Sequence, residues 1–282
     1  MGVQFRQRID KRTTTSPLKF SYLKTPKGYV FAVLSVLTLL AMLHRQDAGG
    51  LRNVLIGMGT AVVVDGTVAI LQRRKKWFSD GGLVTGLLVA DILNSNTAWY
   101  EVVVITALAL TSKHVLKVGR KPIFNPAAVG LLFALMLFHS GQSWWGSLSM
   151  LPWWCAIFLL VGGLLVAQRV KKVPQTLAFL GTYFTLLLLF ALLHIGLPSD
   201  SPGDALRAPF VNSALYLAFF MLTDPPTSPP TLRHQVFFGF FAAAVGVTFF
   251  AVHGGLSYLL IGLLAANAWK AWVSRKPKSP TR

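Results

Sequence analysis

The sequence predicts an all-α polytopic membrane protein of about ten transmembrane or half-membrane helices. Three observations indicate this fold class: the composition, the series of apolar runs and the placement of the basic residues. Of the 282 residues, 54% are hydrophobic and only 13% are charged, whereas soluble domains carry roughly 25% charged residues. This apolar content excludes a disordered chain. The long uncharged runs exclude a soluble nucleic-acid-binding protein, despite a formal net charge of +18.

The apolar residues fall into ten runs along the chain. A full crossing of a bilayer takes roughly 20 residues, and the third, fifth and eighth runs are visibly shorter. Because unpaired backbone groups are costly in hydrocarbon, we expect these three to lie inside the bundle as half-helices. A tilted short helix is the alternative. The runs span residues 29–44, 53–71, 82–93, 98–112, 124–138, 151–168, 174–195, 209–223, 235–253 and 256–273.

The basic residues are sorted between alternate connections. With the N-terminus placed inside, the inside segments hold 24 of the 27 Lys and Arg residues, and the outside segments hold Arg45, Arg52 and Arg207. This is the positive-inside pattern of a multi-pass protein, here in the cytoplasmic membrane with both termini cytoplasmic. The first residues lack the short apolar stretch and cleavage site of a signal peptide.

The two halves of the run series share a weak internal symmetry. Each half has two longer runs before a short third element, which carries Thr85-Gly86 in one half and Thr223-Asp224 in the other. An odd number of crossings per half forces the halves into opposite orientations, and such inverted repeats place function near the membrane centre. The predicted units are a basic cytoplasmic segment 1–28, a first repeat 29–138, a second repeat 151–273 and a basic cytoplasmic tail 274–282.

Acidic residues are scarce in and beside the apolar runs, where a carboxylate usually faces a cavity or a partner. We expect Asp65, Asp91 and Asp224 to mark an ion pathway. For Asp65 the alternative is a structural ion pair with a nearby base such as Arg73 or Lys113. Asp91 lies near the end of its run, and its alternative is contact with interfacial water.

Two motifs in the connections carry the densest signals. Asn125 is a good N-cap and Pro126 suits the first helical position, so the new helix would present backbone N–H groups toward Arg120 and Lys121. That arrangement suits an anion such as a phosphate, or a polarised carbonyl; an ordinary capped helix with basic flanks is the alternative. Residues 223–230 hold four prolines and suit either a rigid ligand-positioning loop or an inflexible connector.

These motifs resemble the RnfD/NqrB family, whose members are membrane subunits of ion-pumping, flavin-dependent electron-transport complexes. Residues 80–88, 123–130 and 219–229 carry the resemblance, which extends from about residue 50 to about residue 270. Asp65, followed by the four basic residues 73–76, is also similar to the family's second helix. The family fold has ten crossings in two inverted halves, similar to that of urea transporters, in agreement with the internal symmetry.

The resemblance implies electron transfer coupled to ion movement, in a complex with other membrane subunits. Family members commonly attach FMN to a threonine in a Ser-Gly-Ala-Thr motif, but here residues 139–145 contain Ser140-Gly141 and no threonine. We therefore expect FMN or riboflavin to be held without a covalent bond, and we assign no catalytic residue. A stand-alone transporter or channel with the same fold is the alternative function. The expected cofactor-binding residues are Thr85, Gly86, Arg120, Lys121, Asn125, Pro126, Thr223 and Asp224.

Overall fold

The structure, a computed structural model, describes residues 25–45, 48–73, 80–119, 121–195, 206–255 and 257–275. The predicted N-terminal segment up to residue 24, the tail after residue 275 and Arg120 lie outside the described residues. All ten predicted runs form helices, with bounds a few residues from those expected. The helices are α1 Pro26–Arg45, α2 Ala48–Leu71, α3 Asp80–Ile92, α4 Trp99–Val115, α5 Pro126–Phe138, α6 Ala156–Arg169, α7 Val173–Leu192, α8 Ala208–Tyr216, α9 Leu232–His253 and α10 Tyr258–Arg275.

Four of the helices, α1, α2, α7 and α9, are long and apolar enough to cross a membrane. Their outer faces leave large apolar side chains uncovered, among them Val36, Leu55 and Phe240. A soluble monomer rarely exposes apolar patches of this extent, whereas a membrane protein turns them toward lipid. The composition and the surface therefore both identify a membrane protein.

The three short helices differ in how far they are enclosed. In α3 every residue from Thr85 onward is buried, and α8 continues without a break into the π-helical turn Leu217–Met221, which is buried throughout. The expectation that short helices lie inside the bundle is confirmed for these two. For α5 it is wrong in the second half, where Met136 and Leu137 are more than half exposed. The reason is that α5 packs on α4, α3 and α10 along one face and leaves the other uncovered.

Successive helices run in opposite directions, so the odd-numbered helices begin at the end of the bundle where the even-numbered helices stop. We call this the basic end, because Lys27, Lys117, Lys171 and Arg233 all lie there, and we call the opposite one the far end. Arg52, near the start of α2, lies at the far end, where its guanidinium donates to the carbonyl of Thr97 at 2.7 Å.

A small antiparallel hairpin precedes α5 at the basic end. It pairs β1 Lys117–Val118 with β2 Lys121–Pro122. Gly119 in its turn has a φ of +61°, a left-handed conformation that glycine adopts without steric cost. The hairpin carries two lysines to the mouth of the cavity described next.

Candidate functional site

A cavity of about 950 Å³ opens at the basic end, between the start of α1, α3, the end of α4, the hairpin and the loop after α8. The cavity brings together most of the residues that the sequence singled out from distant motifs. Six of the eight expected cofactor-binding residues line it: Thr85, Lys121, Asn125, Pro126, Thr223 and Asp224. Their role in holding a cofactor stays a prediction.

The remaining two expected residues stand apart from this wall. Gly86 lies where α3 crosses α2, and a Cβ added to it would be 2.6 Å from the carbonyl oxygen of Gly57. Its absence of a side chain is therefore explained by close helix packing. Arg120 lies outside the described residues.

The proline-rich loop 223–230, together with Met221 and Leu222 just before it, is fixed from several sides by side-chain donors. Four prolines remove backbone donors from this segment, but its carbonyl oxygens still need partners when buried. Helices α7, α9 and α10 and the cap of α5 supply them, so the loop is a rigid wall. The hydrogen bonds run from Asn125 Nδ2 to the carbonyl of Met221 (3.1 Å), from Gln175 Nε2 to Leu222 (2.6 Å), from Lys270 Nζ to Pro226 (2.9 Å), from Asn267 Nδ2 to Thr227 (3.2 Å), from Gln235 Nε2 to Pro230 (3.1 Å) and from Lys172 Nζ to Pro229.

Asn125 is the N-cap of α5, as predicted. Its side-chain oxygen accepts from the N–H of Ala128 at 3.2 Å, and its own N–H donates to Asn267 Oδ1 at 2.8 Å. Both asparagines are buried, and Pro126 has no N–H to offer. Since these donors have partners inside the protein, the cap agrees with the capped-helix alternative. An anion in the cavity would be met by lysine side chains instead.

The charges around the cavity are mostly positive. Lys27, Lys113, Lys117 and Lys121 line it, against the single lining carboxylate Asp224 in the described part of the wall. Lys117 and Lys121 are exposed at its mouth. A cavity with these charges favours an anionic ligand.

Asp65 forms an ion pair within the membrane bundle. Lys113 Nζ lies 2.6 Å from its Oδ1, and both side chains are largely buried. The carboxylate reaches this position beside Gly82, where an added Cβ would lie 1.9 Å from Oδ2. The structural pair with Lys113 is confirmed, and a further role of Asp65 in an ion pathway stays a prediction.

Two titratable groups in the loops at the basic end have shifted pKa values. Burial raises the pKa of the Asp224 carboxyl above its ordinary value, opposed by the positive charge of Lys27 and by the Thr227 hydroxyl, which donates to Oδ2 at 2.9 Å. Burial lowers the pKa of Lys172 to about 8, and the charge of Lys270 adds to this effect. Protonation of this wall can therefore change closer to neutral pH than the residue types alone suggest.

Asp91 lies apart from the cavity, in the core of the bundle. The expectation of interfacial water around it is wrong, because its side chain is completely buried. Tyr216 OH donates to Oδ2 at 2.7 Å, and Thr38 Oγ1 lies 2.9 Å from the same oxygen. No sequence pattern predicts this contact, since Tyr216 follows 125 residues later in a half with little sequence identity to the first.

The loop that would carry an attached flavin in the family lies at the far end, after α5. Ser140 Oγ donates to Glu101 Oε2 at 2.6 Å, and Ser143 Oγ lies 3.3 Å from the carbonyl oxygen of Leu93. Neither serine lines the cavity, whose wall meets α5 at its other end. A ligand in the cavity is therefore not within reach of this loop.

Several donors that fix the cavity wall were not predicted from the sequence. Gln175 is fully buried inside the apolar run of α7, and Lys172 is buried just before it. A polar residue in an apolar run is the signal that could have identified Gln175. Lys172 resembled an ordinary positive-inside residue, and its inward direction could not be read from the pattern.

Comparison with known proteins gives consistent matches. Residues 142–271 match the NQR2, RnfD, RnfE family. The chain is 26% identical over 252 residues to the D subunit of the ion-translocating oxidoreductase complex of Pseudomonas paraeruginosa (strain DSM 24068 / PA7), covering 68% of this chain and 72% of that protein. It is 26% identical over 280 residues to the protein of the same name from Pseudomonas aeruginosa (strain LESB58), covering 78% and 79%. The predicted resemblance to the RnfD/NqrB family is confirmed.

Proposed function

We propose that this chain is a membrane subunit of the RnfD/NqrB type, which takes part in flavin-dependent electron transport coupled to ion translocation. The observation that carries the proposal is the position of the loop 223–230. This loop lies within the matched residues 142–271 and forms a rigid wall of the cavity at the basic end. The relatives are named as subunits of an ion-translocating oxidoreductase complex, which favours this function over a stand-alone transporter.

The cavity has the chemistry that a flavin mononucleotide requires. Lys117 and Lys121 at its mouth suit a phosphate, and Val84, Leu88 and Phe220 provide an apolar surface for a ring system. Its volume of about 950 Å³ leaves room for a ligand of this size. When bound, a flavin supplies the ability to accept and pass on electrons.

The residues of the chain would hold and orient the flavin rather than react with it. Lysine side chains neutralise the phosphate, and the fixed loop 223–230 keeps the wall from collapsing. Asp224, with its raised pKa, is a carboxyl group of this wall that can hold a proton near the ligand. Because the Ser140–Ser143 loop lies at the far end, binding in the cavity is non-covalent, as the missing threonine indicates.

The packing of the helices supports two inverted repeats of five helices. This is the architecture that the family resemblance implies, and it is similar to that of urea transporters. In the first half α1 packs on α3, α2 on α4 and α4 on α5. In the second half the equivalent pairs are α6 on α8, α7 on α9 and α9 on α10. Equivalent helices run in opposite directions, since α3 begins at the basic end and α8 approaches it.

The sorting of the basic residues supports an orientation with the basic end on the cytoplasmic side. The described lysines collect there, and Arg52 and Arg207 mark the far end. By the positive-inside rule both termini are then cytoplasmic, and the cavity opens to the cytoplasm. Electron donors on that side would reach it directly.

Purification from the native host tests the proposal at the level of the assembly. We expect the full-length chain, extracted in a mild detergent, to bring down other membrane subunits and a flavin that is released by denaturation. The proposal would be contradicted if the chain is purified without partner subunits and stays colourless after addition of FMN.

Titration of the purified chain with FMN, followed by quenching of flavin fluorescence, tests the cavity itself. We expect Lys117→Ala and Lys121→Ala each to weaken binding about tenfold, which corresponds to about 1.4 kcal/mol. Arg233→Ala is the matched control, because it removes an exposed charge at the same end without touching the cavity. Equal affinities for all three variants would place the flavin elsewhere.

Asp224 can be tested separately in the assembled complex. Asp224→Ala should abolish electron transfer with a modest loss of folding, whereas Asp224→Asn keeps an acceptor for the Thr227 hydroxyl. If Asp224→Ala is degraded while Asp224→Asn is fully active, the residue has a structural role only.

A further inference from the structure

Asp91 presents an arrangement that the proposed flavin cavity does not use. Its carboxylate is fully buried between helices of both halves. Thr38 of α1 places Oγ1 3.1 Å from Oδ1 and 2.9 Å from Oδ2, and Tyr216 of α8 donates to Oδ2 at 2.7 Å. Asp91 does not line the cavity at the basic end.

No basic side chain neutralises this carboxylate among the described residues. Tyr216 is the one titratable group in contact with it in the described part of α1, α2, α4, α5, α8 and the turn at residues 145–147. The charged groups on those elements either have other partners or lie near helix ends. Arg52 donates to the carbonyls of Ser95 and Thr97, Glu101 accepts from Ser140, and Asp65 is paired with Lys113. The groups near helix ends are Lys27, His44, His114 and Arg207. An ionised carboxylate without a cation costs several kcal/mol in the membrane interior.

The hydrogen bonds can be counted in each protonation state. The Thr38 hydroxyl has one hydrogen, and its oxygen lies 2.9 Å from the Leu34 carbonyl as well as close to Asp91. If Asp91 is ionised, this single hydrogen serves either the carbonyl or the carboxylate, so one of these two close oxygen–oxygen contacts has no hydrogen between its atoms. If Asp91 carries a proton on Oδ1, it donates to Thr38 Oγ1, Thr38 donates to Leu34, and Tyr216 donates to Oδ2. The protonated state therefore gives each of these groups a partner.

The loop after α5, residues 139–147, which we call the far-end loop, covers this carboxyl closely and holds buried polar atoms. A Cβ at Gly146 would lie 2.6 Å from Asp91 Cγ, so only a glycine fits there. Ser147 Oγ and both amide atoms of Gln142 are buried and have no hydrogen-bond partner within the described part of the chain. Buried unsatisfied polar atoms of this kind are usual positions for bound water. Water there would connect the carboxyl with the far end.

We propose that Asp91 is a proton-binding site in the membrane interior, which holds one proton between its Oδ1 and Thr38 Oγ1 at neutral pH and exchanges it through the far-end loop. The site goes beyond the proposed flavin cavity and does not depend on it. Its ligand is a proton, because the distances of 2.7 to 3.1 Å around the carboxylate match a closed set of hydrogen bonds.

Infrared spectroscopy of the full-length chain, labelled with ¹³C at the aspartate carboxyl groups, tests the proposal. A carbonyl stretch of a protonated carboxyl that shifts with the label should be present at neutral pH and lost in Asp91→Asn. It should remain in Asp65→Asn, which alters the ion-paired carboxylate, and in Asp224→Asn, which alters the cavity wall. Tyr216→Phe should move the same band to higher frequency, because one hydrogen bond to the carbonyl oxygen is lost.

The Tyr216→Phe variant keeps the test decisive even if Asp91→Asn fails to fold. A spectrum that neither Asp91→Asn nor Tyr216→Phe changes would show that Asp91 is ionised and would overturn the proposal. Loss of the band on adding sodium chloride, but not choline chloride, would show that the site takes a metal cation, and would overturn it as well.

Discussion

Asp65 and Asp91 are both aspartates on apolar helices of the first half, yet the protein accommodates them in different ways. Asp65 lies beside the cavity and is met by the ammonium of Lys113 at 2.6 Å. Asp91 lies in the core and is met by the hydroxyls of Thr38 and Tyr216. One environment supplies an opposite charge, and the other supplies neutral donors.

The difference follows from where each group lies along the bundle. Near an aqueous cavity a lysine can be kept charged, because its ammonium is partly hydrated and its partner is close. In the core a second charge would double the desolvation penalty, and a proton on the carboxyl removes the penalty instead. We therefore expect Asp65 to stabilise the structure as an ion, and Asp91 to gain and lose a proton.

Breaking the Asp65–Lys113 pair should give the largest effect on stability. Asp65→Asn leaves the Lys113 ammonium without its carboxylate, and we expect the free energy of unfolding to fall by about 3 kcal/mol. Lys113→Gln should cost a similar amount. Thermal unfolding of the detergent-purified variants measures both, and the double variant should recover part of the loss.

Asp91→Asn is the control that makes the comparison sharp. A neutral amide resembles a protonated carboxyl, so this variant should be clearly less destabilised than Asp65→Asn at neutral pH. If Asp91→Asn is more destabilised than Asp65→Asn, Asp91 is ionised in the folded protein. The two aspartates would then differ in how deeply they are buried and not in their protonation state.

Removing the contact between the two asparagines should have the next largest effect, confined to the basic end. Asn267→Ala leaves the Asn125 N–H and the Thr227 carbonyl without their partners, at a cost of about 2 kcal/mol. Hydrogen exchange followed by mass spectrometry should show faster exchange around the loop 223–230. Ser274→Ala is the control, since this exposed hydroxyl bonds the carbonyl of its own helix at Lys270.

The same hydrogen-exchange measurement on Asn267→Ala also reports on the far end of the bundle. Exchange around Asp91 and the Gly146 turn should be unchanged in Asn267→Ala, because these residues are held by α1, α3 and α8. Faster exchange at both ends would show that the cavity wall and the core open as one unit.

The helices and the sorting of charge could be read from the sequence, because apolar run length and basic flanks depend on local composition alone. The ten runs, the N-cap at Asn125 and the short third and eighth helices are confirmed on that basis. The exposed face of α5 could not be read, since it depends on which neighbours α5 has.

The candidate site was only partly predictable for the same reason. Motifs such as 123–130 and 219–229 identified the cavity wall because they are local. The donors that fix it, Gln175 and Lys172, and the contact of Tyr216 with Asp91, join residues between 47 and 125 positions apart. Such contacts depend on how the two halves meet, which composition and periodicity do not specify.

Lys172 is a buried basic residue that can be compared with the two aspartates. Replacing it should have the smallest effect on stability. Its Nζ donates to the Pro229 carbonyl, and burial lowers its pKa to about 8. Above that pH the folded chain has released the proton, whereas an unfolded lysine still binds one up to about pH 10. The stability of wild type must therefore rise with pH in this window, relative to a variant without the amine.

We expect the unfolding temperature of wild type to gain a few degrees on Lys172→Met between about pH 8 and about pH 10. Lys171→Met, which removes the exposed neighbouring amine, should follow wild type across the same range. If the unfolding temperatures of wild type and Lys172→Met change with pH in the same way, Lys172 keeps its charge in the folded protein. The basic end, unlike the core around Asp91, would then tolerate a buried ion.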